Sequence, residues 1–463
     1  MSHPQASPTP AKPTGLQARV IRAGSWVLVG HVGGQALRLG SNLILTRLLA
    51  PEAFGLMAMV YMLMVGLTLF SDLGIYRSVV QSPRGNDGAF LDTAWTLQVL
   101  RGAGLGLVTL LAAVGFATAG QVGWVQPQTA YGDPLLPWVI AAFALVALLQ
   151  GLESIRVGLA KRTMQMQALT RIDLFSQFLA TLVMVILAWL FHSVWALVIG
   201  ALVAAAARSS MGYLWLEGPR ARWRIEPAAL AELISSGKWV FLSSILGFLA
   251  VNGDRLILGG LIDAKVFGLY AIAFLLVNAL QVVSSTLCNN VAYPAFSEIF
   301  RDRPTEMPRV IEKFQWAYDG LAVTAAALMV TGGPAIIKVL YDHRYLGAGW
   351  MMSVLALGAI GLRVQLIEQC YQAVNKPQYT TLANLARLGG LVLGVLLGYR
   401  FWGLEGAVAG IALSQFATWP QALWFRWRYG ALRWRIDAML LPALVGGALL
   451  GWALTALVDR LWA

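Results

Sequence analysis

Four arginines, Arg38, Arg101, Arg255 and Arg363, stand inside long apolar stretches of a 463-residue chain. A guanidinium stays charged and presents a planar fork of donors that fits phosphate and carboxylate oxygens. Stripes of uncharged polar residues accompany these arginines. His31, Gln35, Arg38 and Asn42 recur at steps of 4, 3 and 4, with Ser41 beside them, and so share one helical face. Asn278, Gln281, Ser285 and Asn289 make a second face, while Gln98 flanks Arg101, and Glu368, Gln369 and Gln372 follow Arg363. A polar face in an apolar helix must look at protein or at water. Arg38, Arg101 and Arg363, with Gln35, Asn42, Asn278 and Gln281, are therefore expected to line a wet, cationic lumen suited to an anionic cargo. Ion pairing between helices is the competing role for these arginines. The carboxylates Asp72, Glu153, Asp254 and Glu368 lie nearer the ends of the apolar stretches. They read as ion-pair or gating partners, together with Arg77 and with Arg255, which is close enough to an interface to snorkel.

The elements that hold these residues follow from composition. Hydrophobic residues make up 58% of the chain and charged residues 12%, with a mean hydropathy of +0.67. Soluble domains carry about 25% charged residues, so the solvent here is largely lipid. That excludes a soluble enzyme, a nucleic-acid binder and a single-span receptor. Apolar runs of the length a bilayer requires, about 20 residues, fall near 25–46, 53–76, 89–117, 135–156, 168–190 and 193–215. A second series falls near 236–258, 266–291, 316–340, 346–372, 378–399 and 403–425, and one more near 437–458. Their length and lack of strict alternation select helices over barrel strands. About thirteen spans are expected.

The net charge of +12 fits cytoplasmic loops better than a nucleic-acid partner. With a cytoplasmic N-terminus, 24 of the 34 Lys and Arg fall on that side and 6 on the other, as the positive-inside rule requires. Residues 1–20, rich in Pro, Ser and Thr at their start and lacking an apolar h-region, read as a disordered cytoplasmic tail.

The chain also repeats itself. Displaced by 213 residues, the window Gly24–Leu56 matches Gly237–Leu269 at 12 of 33 positions, including Trp26 on Trp239 and Phe54-Gly55-Leu56 on Phe267-Gly268-Leu269. A shift of 215 also lays Glu153 on Glu368. Six helices per repeat is an even number, so the copies insert in the same sense. The expected architecture is an all-α polytopic membrane protein. Two parallel six-helix lobes, 21–218 and 219–430, enclose a central cavity, and residues 431–463 add one helix outside the duplication. Gly102 and Gly106, four apart, read as close helix packing.

No G-x-x-x-x-G-K-[ST] segment occurs, and the four histidines share no ligand spacing. No cofactor or metal is implied. The longest outer loop, near 118–134, holds one acidic residue, Asp133, and no basic one, a poor basis for membrane glycosyl-transfer chemistry.

Leu45-Thr-Arg-Leu-Leu-Ala-Pro-Glu-Ala-Phe-Gly-Leu56 resembles the first inter-helix turn of the polysaccharide transporter family, flippases for lipid-linked oligosaccharides within the superfamily of multidrug extruders and the lipid II flippase. Phe70-Ser-Asp-Leu-Gly74 with Gln81, Asp92-Thr-Ala-Trp95 through Arg101-Gly102, and Tyr293-Pro-Ala-Phe-Ser297 extend the likeness. The resemblance implies alternating access between two lobes, with Arg38, Arg101 and Arg363 as lumenal basic residues. The expected cargo is undecaprenyl-diphosphate-linked oligosaccharide, moved across a bacterial inner membrane for exopolysaccharide or O-antigen assembly. A polysaccharide polymerase and glycosyltransferases are the expected neighbours. A cation antiporter of the multidrug type, or a non-transporting scaffold of a polysaccharide complex, are the alternatives.

Overall fold

A computed structural model describes residues 16–462 apart from 72, 73, 375 and 431–433. Among the described residues there are helices and turns and no strands. The first part of the chain forms α1 (Leu16–Leu48), α2 (Pro51–Phe70), the short α3 (Ile75–Gln81) and α4 (Gly88–Val122). It continues through α5 (Leu136–Gly151), α6 (Arg156–Arg162), α7 (Met166–Phe191) and α8 (Trp195–Leu214). The second part begins with α9 (Pro227–Gly259) and α10 (Ala264–Leu287), which a π turn joins to α11 (Tyr293–Asp302). α12 (Met307–Tyr318) passes through a π turn at Asp319–Val323 into α13 (Thr324–Leu340). α14 (Ala348–Gly361) passes through a 3-10 turn at Leu362–Val364 into α15 (Gln365–Ala373). α16 (Pro377–Ser414), α17 (Trp419–Arg428) and α18 (Leu440–Trp462) complete the order.

Nine of the described helices are long and apolar enough to cross a membrane, and the bent α5–α6 pair, turned by 57°, makes a tenth. One of the nine runs over 378–428, yet the chain doubles back within it. Trp402 and Gly403 leave the helical region, Gly403 at φ 58° and ψ −139°, a conformation that glycine adopts without strain. The two arms then pack backbone to backbone, a Cβ on Gly398 falling 2.1 Å from the Gly406 carbonyl oxygen. The 33-residue helices α1 and α9, which carry polar residues of their repeats, stand outside the nine.

Close glycine contacts replace a water-driven core between the helices, as expected in lipid. Gly102 lies against Gly151, where a Cβ would come within 2.5 Å of the facing Cα, so α4 and α5 touch at their backbones. α18 packs along α13 in the same way, with Gly451 facing Gly332. The sharpest contact joins the two parts of the chain. A Cβ on Gly55 would sit 2.1 Å from the carbonyl oxygen of Ala264, and one on Gly268 would sit 1.9 Å from that of Pro51. These positions are related by the 213-residue repeat, so α2 and α10 cross through matching copies of Phe-Gly-Leu.

The bundle thus has two unlike ends: a distal one, where α1 finishes and α2 and α10 begin, and a proximal one, where α1 starts. Distally, Leu49, Leu56 and Val60 share one buried apolar cluster with Phe267, Tyr270 and Tyr345. Proximally the packing divides. One cluster around Phe296, Cys370 and Phe425 belongs wholly to the second part, and another around Val157, Ile172 and Leu216 wholly to the first. Among the described residues, the first turns of α9, through Ala229 and Leu233, join the first part's α3–α4 cluster there, and further along α9 Phe248 packs edge-on against Phe70 of α2.

Candidate functional site

α1 rests on α7 through its glycine face. Gly30 and Gly34 lie against Thr170 and Gln177, whose side chains donate to the Trp26 carbonyl (3.1 Å) and the Gly34 carbonyl (3.1 Å). The polar stripe on the neighbouring face is thereby turned away from α7. His31 and Arg38 are exposed and Gln35 is half-buried. Arg38 and Gln35 make no side-chain hydrogen bond or ion pair with the described residues. Tyr61 of α2, 45% exposed, stands within electrostatic reach of Arg38.

On the second part, the Arg255 guanidinium lies 3.9 Å over the Phe274 ring and donates to Asn252 Oδ1 at 3.2 Å. Phe274, Asn278, Gln281 and Ser285 follow one another at helical spacing, so Arg255 sits at the head of the polar face of α10. Asn278 and Gln281 are half-buried and, like Gln35 and Arg38, have no side-chain partner among the described residues. Unpaired amides on helices of this apolarity demand water or a ligand.

The other expected site residues are placed differently. Asn42 accepts a hydrogen bond from the Tyr341 hydroxyl at 2.9 Å, a contact between the two parts of the chain. Arg101 donates to Ser71 Oγ (3.0 Å) and to the Thr68 carbonyl (2.8 Å), capping the end of α2. Arg363 is 7% exposed and forks onto Asp319, itself fully buried, at 3.0 and 2.6 Å, with a further bond to Asp437 at 2.8 Å. Asp437 in turn holds Arg426 at 2.8 Å. That is the ion-pair role, and in this conformation it keeps Arg363 out of any open space. Both Asp319 and Arg363 sit at helix irregularities, which turn their side chains toward each other across α13 and α14.

The carboxylates are paired as well. Glu153 sits at the α5–α6 bend, receives the Tyr76 hydroxyl at 2.5 Å and pairs with Arg208 at 2.7 Å. Its repeat-related partner Glu368 pairs with Arg387 at 2.8 Å. Asp254, 4% exposed, accepts from the Tyr270 hydroxyl within α9 and α10 rather than from Arg255. Asp72 lies outside the described residues, as does the side chain of Arg77.

Sequence reasoning missed the distal seal. The last turn of a helix leaves carbonyls without partners, and here several carbonyls at the ends of α1 and α9 are served from the other part of the chain. Arg344 donates to the Thr46 and Arg47 carbonyls (3.1 and 2.9 Å), and the Tyr345 hydroxyl donates to Leu49 O (2.8 Å). Reciprocally, the Tyr131 hydroxyl donates to Leu256 O and the Ala130 amide to Ile262 O, both at 2.8 Å. Burial pushes the Tyr131 hydroxyl up to about 12 and that of Tyr345 higher still, so both stay protonated donors. Leu49 and Ile262 are again 213 apart, so the repeat signal was available.

A membrane bundle of this order, crossing itself at a duplicated turn, defines a class. The fold is shared with an inward-facing multidrug resistance MATE family transporter of the MOP superfamily, at TM-score 0.64 and 14% identity over 86% of this chain and 95% of that one. It is also shared with the lipid II flippase MurJ in an inward closed conformation, at TM-score 0.69 and 10% identity over 96% and 98%. A profile of the family described as polysaccharide biosynthesis protein matches residues 44–349, and the chain belongs to that family. It is 24% identical over 298 residues to the lipopolysaccharide biosynthesis protein WzxC of Escherichia coli, covering 64% of this chain and 57% of that protein. It is 21% identical over 360 residues to the succinoglycan biosynthesis transport protein ExoT of Rhizobium meliloti, covering 77% and 69%. The chain therefore spans little more than half the length of the first of these relatives.

Proposed function

We propose that this multi-pass membrane protein is a flippase that carries undecaprenyl-diphosphate-linked oligosaccharide across a bacterial inner membrane, for exopolysaccharide or O-antigen assembly. The reading places the N-terminus and the proximal end in the cytoplasm. One observation carries it: Gln35, Arg38, Asn278 and Gln281 stand in apolar helices with their donors and acceptors unclaimed by protein. An unpaired guanidinium suits a diphosphate, and the amides suit sugar hydroxyls, while the isoprenoid tail stays in lipid. The two lobes, 21–218 and 219–430, would rock about the α2–α10 crossing. The distal seal, with proximal clusters that stay mostly within each part of the chain, supports a state of that cycle facing the cytoplasm. Transport, rather than covalent chemistry, is the activity, and a polymerase with glycosyltransferases would use the product and supply the cargo.

The described carboxylates that a cation antiporter would need, Glu153, Asp254 and Glu368, are already hydrogen-bonded or ion-paired, so nothing favours that alternative. Reconstitution in liposomes with a fluorescent lipid-linked glycan tests the proposal. Transfer between leaflets should occur with the wild-type chain and fall with Arg38→Gln. Equal transfer by both would overturn the role given to Arg38, and no transfer by the wild type would overturn the function.

A further inference from the structure

At the proximal end the chain leaves α8 and runs without helix from Pro219 to Glu226, bending at Trp223, before α9 begins. Every second backbone amide docks on α4: Arg222 N–H donates to Asp92 Oδ1 (2.9 Å), Arg224 N–H to Thr96 Oγ1 (3.1 Å) and Glu226 N–H to Thr93 Oγ1 (3.0 Å). The Glu226 carboxylate then pins the segment to Arg84 at 2.7 Å. A cavity of about 700 Å³ opens beside it, lined by Arg220, Arg222, Arg224, Asp87 and Asp92 among others.

The charges in this cavity do not cancel. Asp87 is taken by Arg84 (2.6 Å) and by the Ala89 amide, and Asp92 by the Arg222 amide. Arg220, Arg222 and Arg224 are exposed, and none forms an ion pair with a described residue. Large apolar side chains alternate with them: Trp223 is 64% exposed and Ile225 52%, with Leu214 and Trp215 exposed just upstream. Arginine beside exposed tryptophan marks the level of lipid headgroups. The pattern is used twice, since Arg222-Trp-Arg-Ile-Glu226 before α9 returns as Arg433-Trp-Arg-Ile-Asp437 before α18. In the second copy Asp437 again pins the segment to arginines, Arg363 and Arg426.

We propose that this cavity is a binding site for the headgroup phosphate of an anionic phospholipid in the adjacent leaflet. Arg220, Arg222 and Arg224 take the phosphate oxygens, while Trp223 and Ile225 enter the acyl boundary. The site is separate from the polar faces of α1 and α10 and does not depend on what they carry.

Native mass spectrometry of the full chain, released from detergent with equimolar phosphatidylglycerol and phosphatidylcholine, tests it. The wild type should retain phosphatidylglycerol in preference. Each arginine changed to Gln should weaken that retention about fivefold, in steps. The triple Arg→Lys variant should keep most of it and report on folding. Equal retention by wild type and the R220Q/R222Q/R224Q variant would overturn the site. Displacement of the lipid by an equal concentration of inorganic phosphate would also overturn it, in favour of a soluble ligand.

Discussion

Arg38 and Arg363 look alike as sequence, each a cation amid apolar residues, yet they live in opposite surroundings. Arg363 forks onto a fully buried Asp319 and touches Asp437, so its charge is spent inside the protein. Arg38 has open space and no partner among the described residues. A buried pair fixes helix positions, whereas an unpaired cation costs free energy that only a ligand or water can offset. The difference teaches that charge in a span identifies a place of interest, and the partner decides its purpose.

The largest expected effect breaks the pair. Arg363→Ala leaves Asp319 buried without a counter-charge and should cost about 3–5 kcal/mol in thermal unfolding in detergent. Adding Asp319→Asn should restore most of that loss. Arg38→Gln should leave the unfolding midpoint unchanged while lowering leaflet transfer about tenfold, the scale of a lost charged hydrogen bond. Equal destabilisation by the two variants would erase the contrast between them.

Between these sits the distal seal. Gly268→Val drives a side chain into the Pro51 carbonyl and should weaken the crossing by about 1–3 kcal/mol. A cysteine placed by Asn278→Cys should then label faster with an impermeant reagent added from the distal side. The native Cys288 and Cys370 are buried and should contribute little background. Arg344→Gln, which removes bonds to the end of α1, should give a smaller increase in the same assay.

The smallest effect is one of pH. The hydrogen bond from Arg84 holds the Asp87 carboxyl below its ordinary range. Its contribution is complete above that range and is lost as pH falls through the lowered value. The unfolding midpoints of wild type and Arg84→Gln should therefore differ at neutral pH and converge below about pH 4. A gap that persists well below that pH would assign the effect to packing.

Much of this was legible in the residues. Composition selected lipid, and the repeat at 213 residues marked Gly55 and Gly268 before any contact was known. The polar steps on α1 put Gln35, Arg38 and Asn42 on one face; Gln35 and Arg38 have no side-chain partner among the described residues, while Asn42 meets Tyr341. Arg363 could not be separated from Arg38, because Asp319 and Asp437 lie 44 and 74 residues away in the chain and no spacing rule joins them. Asp254, read as an ion-pair or gating residue, accepts from the Tyr270 hydroxyl, while its neighbour Arg255 is held by Phe274 and Asn252. Tyr131 and Tyr345 were unmarked because capping of a helix end by a distant loop leaves no local signature. The helix at 437–458 was set outside the duplication, although Arg-Trp-Arg-Ile followed by an acid precedes both it and α9.

The α2–α10 crossing also bears on ancestry. A surface that fits its own duplicate needs no second surface to evolve alongside it. A single ancestral unit bearing Phe-Gly-Leu at that turn could already pair with an identical copy about a two-fold axis. Joining the genes would then have preserved an existing dimer and freed each member to diverge, one toward Arg38 and the other toward Asn278.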